Sequence, residues 1–161
     1  MRTIALGLAV FSLASAAFAV DYQLKRTAKG HKELTVYGHA IFRGDCESRG
    51  PVEINLNIPP MGGTVCMRSG MVPLRTTWPG TSQHCVGKRI SGVFVIYIPF
   101  GSFTGPDTML YTVRVQPSLN SRTYEVEIMV DAGQAIAPGA SSAPSEPQRA
   151  GPVPACPALV S

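Results

Sequence analysis

Cys46, Cys66, Cys85 and Cys156 are the residues of this 161-residue chain with the most evident chemistry. Thiols oxidise in pairs to disulfides or, as thiolates, hold soft metals. Four cysteines allow three pairings, and their spacing alone does not choose among them. Soft donors also gather along the chain: Met61, Cys66, Met67 and Met71, with His84 beside Cys85. Such a set suits copper(I), and Met61, Cys66, Met71 and His84 define a soft-metal carrier as one alternative function. Two considerations oppose it. Consecutive strand residues face opposite ways, which separates Cys66 from Met67, and methionine is a common filler of gaps in cores.

Residues for catalysis are scattered. His31 lies in a polar leader, His39 in a candidate strand and His84 in a loop. No G-x-S-x-G elbow, H-E-x-x-H helix or phosphate-cradling glycine loop is present. Glu125 and Glu127 share one face of a candidate strand, as paired acid and base carboxylates would, so a hydrolase on a sandwich scaffold is a second alternative. Solvated outward charges account for them more simply, and for Glu53 likewise. The expectation is a chain that is not an enzyme and has no catalytic residues, resident metal or cofactor. Trp78 is the lone tryptophan, in a Pro/Gly-flanked loop near Arg75 and His84. These three residues form a possible contact surface for a partner.

The elements that must position these groups read as strands. Val52 to Ile58 alternates cleanly, with Val52, Ile54, Leu56 and Ile58 inward and Glu53, Asn55 and Asn57 outward. Pro59-Pro60 ends it, since neither proline can donate to a ladder. Leu34 to Phe42 reads as a first strand with Leu34, Val36, Gly38, Ala40 and Phe42 on one face and Thr35, Tyr37, His39 and Ile41 on the other. Thr64–Arg68 and Met71–Thr77 read as a hairpin around Ser69-Gly70, with Pro73 marking an edge. Gly92 to Val115 reads as two strands around a tight corner, with Met109, Tyr111, Val113 and Val115 alternating inward on the return. Arg122 to Val130 is the last strand, with Tyr124, Val126, Ile128 and Val130 inward. About seven strands with turns every 8–12 residues and no helical period imply an all-β, antiparallel two-sheet sandwich.

Both ends differ in composition. Residues 1–19 have Arg2, an apolar run from Ile4 to Phe11 and Ala17-Phe18-Ala19, the pattern of a cleaved signal peptide, which implies a periplasmic or secreted protein. No other segment is apolar enough to cross a membrane, so the mature chain is expected to have no transmembrane segment. Residues 20–32 form a basic polar leader with Lys25, Arg26, Lys29 and Lys32. Removing Arg2 from the 14 lysines and arginines leaves 13 against 10 acidic residues, a mild excess. No dense basic stripe interleaves with aromatics, which argues against nucleic acid as a partner. Residues 132–161 are rich in Ala, Pro, Ser and Gly and read as a disordered tail. The packed domain then spans residues 33–131.

Gly92-x-x-Val95-x-Tyr97-x-Pro99, followed by Phe103-Thr104-Gly105-x-Asp107-x-x-x-Tyr111, resembles the signature of bacterial immunoglobulin-like, cadherin-like repeat domains. Pro59-Pro60-x-Gly62-Gly63-Thr64-Val65 is similar to the hairpin of the same domains. The resemblance covers about Gly38 to Val130. It implies that Phe103 is buried where the chain crosses between sheets, that Gly105 takes a conformation costly to other residues, and that Asp107 accepts backbone N–H bonds in the turn. Tyr111 would send its hydroxyl to a backbone carbonyl, as in a tyrosine corner. Pro106 departs from the usual small polar residue, and a single acidic residue does not make a cadherin-type calcium site. Cys46 and Cys85 fall at the cysteine positions of small secreted versions, so these two are expected to pair. That link would be worth roughly 4 kcal/mol in the chain-entropy model. Cys66 and Cys156 would then pair with each other or with other chains. The functional expectation is an exported, non-enzymatic domain that binds or scaffolds at the cell envelope, its partner an envelope protein, a glycan or a wall component.

Overall fold

A computed structural model describes residues 19–30, 32–75, 82–101, 103–115, 120–132 and 148–157. Positions 1–18 of the expected signal peptide, His31 and Trp78 lie outside the described residues. The strands are β1 (Tyr22–Lys29), β2 (Leu34–His39), β3 (Val52–Ile58), β4 (Gly63–Pro73), β5 (Arg89–Pro99), β6 (Gly105–Val115), β7 (Ser121–Asp131) and β8 (Gly151–Pro152). A short 3-10 helix, Gln83–Cys85, precedes β5. One sheet has the order β1-β7-β6-β3-β8 and the other β2-β5-β4. Among the described residues no helix is long and apolar enough to cross a membrane.

The two strands of the Gly92–Val115 stretch occupy the middle of both layers. β5 is central in the three-stranded sheet and β6 in the five-stranded one, so the corner between them carries the chain from one layer to the other. Val95, Tyr97, Met109, Tyr111 and Val113 meet there and are buried, together with Ile54 and Leu56 of β3 and Val126, Ile128 and Val130 of β7. Val52, Ile54 and Leu56 on β3, Met109, Tyr111 and Val113 on β6 and Val126, Ile128 and Val130 on β7 are buried as the alternation predicts, because period-2 side chains sort to one face of a pleated strand. Ile58, expected inward, is exposed, because the β3 register shifts between Leu56 and Ile58.

Four features depart from the sequence reading. The basic leader of residues 20–32 is largely a strand: β1 runs parallel to β7, from Tyr22 opposite Tyr124 to Lys29 opposite Asp131. Its backbone ladder, not an apolar run, holds it, and Ala28 reaches the core. The five-stranded sheet is therefore mixed. Residues 63–73 are one continuous strand rather than a hairpin; Ser69 and Gly70 sit opposite Val93 and Gly92 of β5. In β2 the register slips between Thr35 and Tyr37. That irregularity reverses the parity of the strand and turns His39 inward, where it is buried.

The fourth departure is at the C-terminal end. Residues 148–157, read as part of a disordered tail, form a strap across the side of the sandwich. Gly151–Pro152 pairs with Leu56 and Asn55 of β3, Val153 enters the core, and Ala155 bridges Met67 of β4. Gln148 brackets Val65, accepting from its N–H at 2.7 Å and donating to its carbonyl at 2.9 Å. Cys156 is disulfide-bonded to Cys66. The composition of the segment cannot bury much surface, but a covalent link and backbone bonds to two strand edges supply what side chains do not.

Asp107 fixes the corner. Its buried carboxylate accepts from the backbone N–H of Met61 (3.0 Å), Gly62 (2.9 Å) and Thr108 (2.9 Å) and from the Tyr97 hydroxyl (2.8 Å). Burial, together with this carboxylate, holds the Tyr97 phenol well above its ordinary range. Gly62 lies under the Phe103 ring, so closely that an added Cβ would sit 2.3 Å from it. Gly105 begins β6 at φ +105°, a conformation that side chains resist. Replacing Asp107 with Asn converts one acceptor oxygen into a donor facing other donors. Asp107→Asn is expected to cost about 3 kcal/mol, read as a lower urea midpoint at unchanged slope.

Candidate functional site

A second, smaller cluster lies around the Cys46–Cys85 disulfide. Leu74, Cys85 and Ile90 are buried there, with Ala40, Phe42 and Cys46 packed against them. The disulfide joins the β2–β3 connection to the 3-10 helix, with Cα atoms 5.5 Å apart. The β2–β3 connection is itself tightly folded. Phe42 bridges Ser48, the Arg43 N–H donates to the Glu47 carbonyl and the Cys46 N–H to the Arg43 carbonyl. The Glu47 N–H donates to the Asp45 carboxylate at 3.0 Å. On the other side, the Leu74 N–H donates to the Lys88 carbonyl and the Gly87 N–H to the Leu74 carbonyl, which rest the segment after the 3-10 helix against the end of β4.

His84 completes the cluster. Its Nε2 lies 2.6 Å from the Gly44 carbonyl and 3.6 Å from Cys85 Sγ. A carbonyl only accepts, so Nε2 carries the proton and the ring's lone pair is on Nδ1. Ligand atoms of Cys46, His84 and Cys85 all lie within 4.8 Å of one another. Two sulfurs and an imidazole form a soft donor set of the kind that takes copper(I) or zinc. While the sulfurs are joined they are not thiolates, and the set is closed to metal. Among the described residues, two non-glycine residues have left-handed backbone, Cys46 at φ 68° and Ser82 at φ 53°. Both border this cluster, and such conformations cost on the order of 1 kcal/mol or more each.

The soft donors picked out from the sequence do not assemble. Met61 precedes β4 and Met71 lies near its far end, roughly 30 Å apart at strand rise. Cys66 is tied to Cys156, and Met61 and Met71 are exposed. His84 instead joins Cys46 and Cys85, residues assigned only to a disulfide; the adjacency of His84 and Cys85 was the available signal. Glu125 and Glu127 face solvent opposite β1, where Gln23 donates to Glu125 at 3.0 Å and Lys25 pairs with Glu127 at 2.8 Å. Arg75 is exposed at the end of β4.

Tyr111 departs from the tyrosine-corner expectation. Its hydroxyl shares a 2.9 Å hydrogen bond with His39 Nε2 rather than reaching a backbone carbonyl, because the β2 irregularity brings the imidazole in. The rings stack onward: Tyr111 on Tyr124 at 5.1 Å and Tyr124 on Tyr22 at 4.9 Å, with Tyr37 against His39 at 5.0 Å. Burial raises the phenols of Tyr111 and Tyr124, the latter to about 12. This aromatic column forms one flank of an open groove of about 1470 Å³ that runs between β1, β2 and the end of β4 toward Gly44 and Ser82.

Comparison with known proteins finds no matching family model, no matching curated protein and no matching solved structure. The fold and the site define a disulfide-linked, two-sheet β-sandwich with a generic immunoglobulin-like topology and a Cys/His cluster at one end.

Burial lowers the His39 imidazole from 6.5 to about 4. Above pH 6.5 the folded and unfolded forms are both neutral at this residue, and its buried contacts stabilise in full. As pH falls from 6.5 toward 4, the unfolded chain takes up a proton that the folded chain refuses. Stability is then lost at about 1.4 kcal/mol per pH unit, on the order of 3 kcal/mol in all. Denaturation midpoints measured between pH 7 and 4 should show this decline, and His39→Gln should flatten it.

Proposed function

We propose that this chain is an exported, non-enzymatic immunoglobulin-like module, of the bacterial cadherin-like kind, that carries soft metal at Cys46, His84 and Cys85 when the thiols are free. The single observation behind the metal reading is the convergence of the two sulfurs and the imidazole within 4.8 Å. The left-handed backbone at Cys46 and Ser82 adds support, since strained residues gather at functional sites.

The chemistry requires a dithiol reductant. A reductant thiolate attacks the more accessible Cys46 sulfur, the S–S bond breaks, and Cys85 leaves as thiolate. The reductant's second thiol displaces Cys46 and departs as a disulfide, having supplied two electrons and two protons. The two thiolates of Cys46 and Cys85 would then hold copper(I) in exchange for the two thiol protons, with the His84 imidazole the third donor within reach. His84 Nε2, the nitrogen beside the Cys85 sulfur, is held by the Gly44 carbonyl and would give up that bond and its proton to serve as the third donor. The oxidised form stores the site closed.

Titration with copper(I) against a chromophoric competitor checks this. Reduced protein is expected to take up one equivalent, oxidised protein none, and reduced His84→Ala protein to bind about tenfold more weakly. Equal uptake by the oxidised chain, or none by the reduced chain, discards the metal reading.

A second reading, a binding or scaffolding module for an envelope protein, glycan or wall component, is favoured by the open groove with its exposed aromatic faces.

A further inference from the structure

The described lining of the groove between β1, β2 and the end of β4 carries charge of one sign. Among the described residues that line it are four arginines, Arg26, Arg43, Arg49 and Arg75, and no carboxylate. Arg26 is partly engaged, donating to the Val36 and Lys25 carbonyls. Among the described residues Arg43, Arg49 and Arg75 form no ion pair, whereas Arg68 and Arg122 are paired with Glu33 and Asp21. Three exposed guanidinium groups along one open channel produce a local positive field that attracts anions.

The same groove presents aromatic faces. Tyr22 and Tyr37 are each 40 % exposed and line it together with Tyr124. Tyr124 is fixed from behind by Tyr111 and His39, so this flank is rigid before any ligand arrives. Tyrosine offers a flat apolar surface and a hydroxyl at its rim, at low entropic cost.

We infer that this groove binds an acidic polysaccharide, a chain of sugar rings bearing carboxylates. The binding-module reading is the one on which this rests; the thiols play no part in it. Three observations select that ligand. The groove is open and larger than the pockets that enclose small molecules, about 300–1,000 Å³, which leaves room for more than one sugar ring. Its cations are arginines without a lysine, and the planar guanidinium fork matches a carboxylate with two parallel N–H bonds. Its charge is sparse. A nucleic-acid strand places a phosphate about every 3.4 Å, whereas a chain with one carboxylate per sugar ring carries fewer charges, in keeping with three exposed arginines. In the bound form the C–H face of a ring lies on Tyr37 or Tyr22, and the carboxylates are met by Arg43, Arg49 and Arg75.

Affinity electrophoresis of the oxidised full chain through gels containing polygalacturonate tests this, with dextran, poly(dT) and polyglutamate gels as comparisons. Retardation is expected in polygalacturonate alone and should fade as salt rises. The double variant Arg43→Gln/Arg49→Gln, and separately Tyr37→Ala, should each weaken it about tenfold with an unchanged melting temperature. Equal retardation by dextran overturns the role of charge. Stronger arginine-dependent retardation by poly(dT) or polyglutamate overturns the polysaccharide assignment and leaves a binding module standing. Retardation by none of the four overturns both.

Discussion

One carboxylate holds the two layers in place. Asp107 sits at the start of β6, yet two of its four bonds go to the β3–β4 turn at Met61 and Gly62 and one to Tyr97 on β5. It therefore ties together both sheets and a turn that are distant in sequence. A neutral side chain of the same size would leave donors unpaired in a dry setting, where they are costly. The positions of β5 and β6 follow from it, and with them the faces that make the core. Phe103, partly buried, packs on Gly62 at the same corner.

The sides of the sandwich are closed by segments with little hydrophobic content. β1 covers the edge of β7 through a parallel ladder. The strap at 148–157 crosses from β3 to β4 and so spans the two sheets on the opposite side. Open strand edges invite pairing with other chains; the strap occupies part of the edges of β3 and β4, and β1 moves the other edge of the five-stranded sheet onto a strand rich in charge. The disulfides divide the remaining work. Cys66–Cys156 fastens the strap, and Cys46–Cys85 fastens the loops at one end. The Cys/His cluster and the groove both arise at that end, because the irregular β2–β3 connection and the 3-10 helix come together there.

Much of the sandwich was legible because alternation is a local signal. Ile54, Leu56, Met109, Tyr111, Val126 and Ile128 declare their face by neighbours two residues away. Three things were not. The inward positions of β1 include Arg26, so no apolar stripe marks the strand, and its partner β7 is a hundred residues distant. The burial of His39 depends on a one-residue slip in β2, which reverses parity without any residue that announces it. The strap depends on a sulfur pairing across 90 residues that Cys156 left open as one alternative, while the Pro, Ala and Gly around it gave no sign that the segment is ordered. The cluster at Cys46, His84 and Cys85 was half legible. His84 and Cys85 are adjacent, but their meeting with Cys46 is a property of the fold.

The Cys66–Cys156 link has a consequence for how the polypeptide tolerates proteolysis. Hydrolysis of a peptide bond between positions 132 and 148 would not release the C-terminal piece. It would yield a two-chain molecule whose shorter chain still lies on β3 and β4, held by sulfur as well as by its backbone bonds. Such a molecule keeps its full mass until a reductant is present, and then separates. Persistence after nicking is thus built into the covalent structure, independently of whatever the groove or the thiols at the other end hold.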